Sequence, residues 1–166
     1  MSQRAAGVDL ETSMGYALKE ASAALRAAME EVLRPLGMTI THYSCLELLA
    51  QRPGLSSAEL ARGTFVTRQS MNVLLQALER DGSVTRPAAP PVGRVLPTQL
   101  TPHGRDQLER ATAAVRAVEL RMLAGLTDAE RETTFRALRR MTRSLREGAD
   151  GSEGAEGQDG TSRHDW

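Results

Sequence analysis

From Ser56 to Leu100 the sequence passes from two short, separately capped helices to a strand-like period, and that cadence leaves few folds open. Ser56-Ser57-Ala58-Glu59 is a capping box: the Ser56 hydroxyl satisfies the Glu59 amide while the Glu59 carboxylate reaches back. The helix it starts turns Leu60 and Ala61 inward and is expected to end near Gly63. Thr64-Phe65-Val66 then leads to Thr67, the next N-cap. Met71, Leu74, Leu75 and Leu78 follow at i, i+3, i+4 and i+7, so the new helix buries one face and stops at Asp81-Gly82. Its other face is Gln69, Asn72, Val73, Gln76 and Arg80, with Arg68 at its start, and holds no acid. Val84-Thr85-Arg86 and Arg94 to Leu100 read as two short strands around a turn from Pro87 to Gly93. Pro97 would cost a central strand a ladder bond, so the hairpin is expected to stand exposed.

The flanks are helical. Met14, Leu18, Ala21, Leu25, Ala28 and Val32 make one apolar stripe in a helix expected from Leu10 to Leu36, closed by Gly37. A second helix starts at the N-cap Thr39, turns Tyr43, Leu46 and Leu49 inward and stops at Pro53-Gly54. Thr101-Pro102, an N-cap followed by a proline at the first helical position, opens a fifth. Thr127-Asp128-Ala129-Glu130, a second capping box, opens a sixth carrying Phe135, Leu138, Met141 and Leu145. The expectation is a mainly α chain with a small β-hairpin wing. Residues 38–100 form a winged helix-turn-helix, and 1–37 and 101–146 form N- and C-terminal dimerisation helices. Residues 147–166, rich in Gly, Ser, Glu and Asp, form an acidic tail expected to be disordered. The stripe and the terminal helices carry more apolar surface than one small winged domain covers, which calls for a second copy.

Charge looks uninformative until it is divided. The 166 residues hold 21 Lys+Arg and 21 Asp+Glu. Six acids and one base lie between Glu147 and Trp166, which leaves 20 bases against 15 acids in residues 1–146. From Arg52 to Arg105 there are seven arginines and three acids, a balance that points to nucleic acid. Aromatic residues make up only 3%, too few for the stacking platforms of single-strand binders. Nothing in the chain suggests a signal peptide or a membrane span, and one cysteine admits neither an internal disulfide nor a thiolate metal site, so a reducing cytoplasm is expected. His42, His103 and His164 are not in metal-ligand spacing, and neither a phosphate loop nor a nucleophile elbow occurs, so no enzyme activity, metal or cofactor is expected.

An acid-free polar helix braced by a second helix suits the roughly 12 Å wide major groove of double-stranded DNA. Arg68, Gln69, Asn72, Val73 and Gln76 are placed to meet base edges. Ser56, Thr67 and Ser70 are placed to meet phosphates, and Arg94, with Arg86 nearby, to probe the backbone or the minor groove.

Four segments resemble motifs of MarR-type (multiple-antibiotic-resistance) regulators, in the right order: Met38 to Leu46, Pro53 to Ala61, Leu78 to Gly82 and Leu100 to Gly104. The similarity runs from about Leu10 to Arg146. It implies a homodimer with interlocked terminal helices, bound to a pseudo-palindromic operator. The recognition helix falls on Arg68 to Gln76 and the wing arginine on Arg94. It also implies a repressor released by a small, aromatic effector, for which Tyr16, Arg26, His42 and Tyr43 are the candidates. At one position the chain departs from the pattern: the Asp usual two residues before the wing arginine is Val92. Some such proteins sense peroxide through a lone thiol, which makes Cys45 a candidate redox residue, although it lies on the second helix rather than the first. The rival from another class is a winged-helix module that docks a protein.

Overall fold

The computed structural model describes residues 9–86 and 97–153. Residues up to Met122 form one compact unit and those from Leu123 another. The elements are α1 (Met14–Leu33), a 3-10 turn (Arg34–Leu36), α2 (Ile40–Gln51), α3 (Ser57–Thr64), α4 (Arg68–Arg80), β1 (Val84–Thr85), β2 (Gln99–Leu100), α5 (Pro102–Leu123) and α6 (Asp128–Glu153).

Local chemistry sets most of these boundaries. α1 starts four residues later than its stripe suggested, because Asp9 and Ser13 divide the approach between them. Asp9 Oδ1 accepts from the Glu11 amide at 3.1 Å and holds a turn, and Ser13 Oγ then caps the helix by accepting from the Tyr16 amide at 3.2 Å. At the other end Pro35 lacks the N–H an α-helix needs. The chain therefore tightens into the 3-10 turn and leaves it through Gly37 at φ +69°.

The core of the first unit is built where the sequence periods overlap. Leu33, Leu46, Leu49, Leu60, Met71, Leu75 and Leu78 are fully buried among α1, α2, α3 and α4. α3 ends in Phe65, whose φ of +58° reverses the chain and delivers Thr67 to cap α4 by accepting from the Ser70 amide at 3.1 Å. The helix-turn-helix is thus held by a cap on each side of one left-handed residue. By contrast, the outer half of the α1 stripe stays open, with Met14 65% and Leu18 43% exposed.

β1 and β2 pair antiparallel, Val84 with Leu100 and Thr85 with Gln99. Thr98, expected within the second strand, turns to another partner. Its amide donates to Leu55 O at 3.3 Å and its carbonyl accepts from the Gly54 amide at 3.1 Å. The base of the hairpin is therefore tied to the loop after α2. The expected turn from Pro87 to Gly93, and Arg94 with it, lies outside the described residues.

In the second unit, Thr127 and Glu130 form the expected capping box, with the Thr127 amide donating to Glu130 Oε2 at 2.8 Å. α6 runs on to Glu153, beyond the boundary expected at residue 147. Extending an existing helix costs little per residue once its first turn is formed, so a Gly- and acid-containing stretch can still continue it. Phe135, Leu138 and Leu145 line one exposed side of this helix.

Candidate nucleic-acid interface

α4 places the sequence-predicted residues as its period requires. Met71, Leu75 and Leu78 are buried, while Thr67, Arg68, Gln69, Ser70, Asn72, Val73 and Gln76 are all exposed. Val73 is 62% exposed, a large apolar side chain standing among amides. Among the described residues, the outward face from Arg68 to Gln76 carries no carboxylate. Its first acid is Glu79, and Glu79 is neutralised. The Arg86 guanidinium donates to Glu79 Oε2, with Nε at 3.2 Å. Arg86 is half-buried in this pairing, which ties the start of the hairpin to the end of α4. Arg80 lies one turn beyond Gln76, Nε donating to its carbonyl at 3.3 Å, and adds a cation to the same face.

Ser56 is also committed. Its amide and hydroxyl both donate to Glu59 Oε2, at 2.8 and 2.6 Å, so its side chain serves the helix start first. These bonds hold the Glu59 carboxyl below the usual carboxylate range. Ser57, which the helical period did not single out, bonds instead to Asn72 across the two helices. A residue contact fifteen positions apart leaves no periodic trace.

The four effector candidates lie on two helices, Tyr16 and Arg26 on α1 and His42 and Tyr43 on α2. Tyr16 and Arg26 are about 15 Å apart along α1 at 1.5 Å per residue, and Arg26 is exposed and paired with Glu30 at 3.0 Å. His42 and Tyr43 lie half-buried on α2. No described hydrogen bond or ion pair links the two sets. Tyr43 is raised above its ordinary pKa, chiefly by burial and against a hydrogen bond with Thr112. Cys45 is a core residue: fully buried, its Sγ is 4.0 Å from Met71 Sδ, and burial pushes the thiol up to about 12. A thiol so rarely ionised at neutral pH is a poor nucleophile.

His42 has a consequence for stability. Burial lowers its pKa below 6.5, outweighing the attraction of Asp81, and Nε2 is buried without a partner. The unfolded chain therefore takes up the proton first as pH falls. Stability is constant in this respect above 6.5 and is lost below it, down through the folded pKa. Asp81 is held below 3.8 by hydrogen bonds from Ser83 and Gln107, so its own loss comes only in strong acid. Thermal midpoints measured from pH 7.5 to 5.5 should fall for the wild type and fall less for His42→Gln. Equal slopes would assign the loss elsewhere.

No helix among the described residues is long and apolar enough to cross a membrane, and they contain no group of three His, Cys, Asp or Glu side chains suited to a metal ion.

Comparison with known proteins agrees with this geometry. The sequence pattern of the MarR family matches residues 36–95, the segment from the end of the 3-10 turn into the hairpin. The HTH-type transcriptional repressor Rv2887 of Mycobacterium tuberculosis is 44% identical over 135 residues, covering 81% of this chain and 97% of the repressor. The crystal structure of Rv2887 in complex with DNA superposes with a TM-score of 0.66 at 43% identity, covering 78% of this chain and 98% of that one. Its complex with salicylic acid superposes at 0.64 and 45%, covering 78% and 96%. A helix-turn-helix with an acid-free outer face, and identity sustained over nearly the whole of a known repressor, make this chain a member of the MarR family.

Proposed function

We propose that the protein is a homodimeric, sequence-specific DNA-binding transcriptional repressor acting in the cytoplasm, released from a pseudo-palindromic operator by a small aromatic acid. The observation that carries the reading is the exposed face of α4. It offers amides, a guanidinium and one apolar side chain, with its nearest acid occupied by Arg86. Arg68, Gln69, Asn72, Val73 and Gln76 meet base edges, and Thr67 and Ser70, at the helix N-terminus, meet phosphates. Arg94 contacts DNA from the wing. Residues 38–100 are the DNA-binding domain, and residues 1–37 and 101–146 supply the dimer contacts. The effector part of the reading is supported by the salicylic acid complex of Rv2887. Tyr16 and Arg26 on α1 and His42 and Tyr43 on α2 are the side chains offered to the effector.

Selection of bound duplexes from a random pool tests this reading. It should enrich an inverted repeat whose half-sites are centred about 34 Å, one turn of DNA, apart. A pool that stays random would favour the protein-docking alternative.

A further inference from the structure

α3 and α4 are joined by a side-chain hydrogen bond that the packing of neither helix demands. The hydroxyl of Ser57, on the first turn of α3, donates to Oδ1 of Asn72 on the outward side of α4. Ser57 is half-buried beneath the α4 face, while Asn72 is exposed on it. An asparagine amide carries one acceptor oxygen and one NH2 with two donors. With Oδ1 engaged by the Ser57 hydroxyl, the two Nδ2 donors are the part of the amide that this bond leaves uncommitted.

That orientation has a consequence for what Asn72 reads. Adenine presents an acceptor, N7, beside a donor, the N6 amino group, and a bidentate partner must offer one of each. Guanine presents two acceptors, N7 and O6, and an NH2 supplies two donors. We propose that Ser57 is a positioning residue that makes Asn72 a donor-only reader, selecting guanine over adenine at the base pair it faces. The proposal rests on the DNA-binding reading above and adds a specificity device within it. Ser57 touches no base; it acts through the amide it orients.

The experiment is duplex selection, followed by competition titrations, with the wild type, Asn72→Ala, Ser57→Ala and Ser57→Thr. Asn72→Ala should level the preference at one base pair per half-site and so identify it. At that pair the wild type should prefer guanine, Ser57→Ala should shift the guanine-to-adenine ratio toward adenine by about tenfold, and Ser57→Thr, which keeps the hydroxyl, should restore guanine. Ser57→Ala removes one exposed-side bond and should leave the thermal midpoint within a few degrees, so the shift is not a folding effect. Two results would overturn the proposal: a wild-type preference for adenine at that pair, or a Ser57→Ala variant weakened equally on every duplex. If the wild type enriches no sequence at all, the DNA-binding reading itself fails, which is a distinct outcome.

Discussion

Gly104→Ala should destabilise the protein by about 3 kcal/mol or more, near the upper end of what overpacking costs. A Cβ built at Gly104 falls 2.0 Å from the carbonyl oxygen of Ser83 and 3.3 Å from Leu100 Cδ2. The oxygen cannot step aside. It accepts from the Thr101 amide at 3.1 Å, the Ser83 amide donates to Leu78 O at 2.9 Å, and the neighbouring Gly82 carbonyl accepts from the Thr101 hydroxyl at 2.6 Å. The Thr101 hydroxyl also accepts from the Gly104 amide at 3.0 Å, so the start of α5 is closed onto the start of β1. One missing methyl group thus lets the end of α4, the base of the hairpin and α5 meet at a single point. For a chain of this size the loss corresponds to a fall of about 10 °C in Tm. Gly125→Ala is the control: nothing lies within 4 Å of its added Cβ, and the thermal midpoint should barely move. If Gly104→Ala melts with the wild type, the close approach is not what holds the winged domain together.

The contrast between local and distant contacts explains what could be read from the chain in advance. Ser56 with Glu59, Thr127 with Glu130, and the caps Thr39 and Thr67 all act over three residues, so their spacing is visible in the sequence. The buried face of α4 is visible for the same reason, since 3.6 residues per turn sorts Met71, Leu75 and Leu78 from Gln69, Asn72 and Gln76. The pairing of Arg86 with Glu79 is not visible in the sequence, because Glu79 lies on the far side of a turn, where no helical or strand period connects them. Thr98 pairing with the Gly54–Leu55 loop, Ser57 reaching Asn72, and Gly104 against Ser83 are likewise products of tertiary packing.

A duplex carrying a single half-site should bind at least about 100-fold more weakly than one carrying both. Once one recognition helix is seated, the second meets its half-site at a high effective concentration, and a single half-site forfeits that advantage. The dimer this requires is supported by apolar surface that the single chain leaves uncovered. Met14 and Leu18 on α1 and Phe135 and Leu145 on α6 are between 43% and 76% exposed. Fully burying a side chain of this size from full exposure is worth about 1.5–3 kcal/mol, so covering the exposed part of this set contributes toward the cost of association. Two-fold symmetry then presents two α4 helices to one side of the duplex, and half-site spacing follows from the protein.

The most direct measurement is therefore a titration of the full inverted repeat, one intact half-site with the other scrambled, and a fully scrambled duplex, all at one salt concentration, since phosphate contacts make every affinity depend on salt. Tightest binding to the full repeat, loss of at least about 100-fold on the half-site, and binding to the scrambled duplex at or below the half-site level are the predicted results. Equal affinity for the full repeat and the half-site would contradict a dimer that reads DNA with two copies of α4, and equal affinity for all three would contradict sequence-specific recognition by this protein.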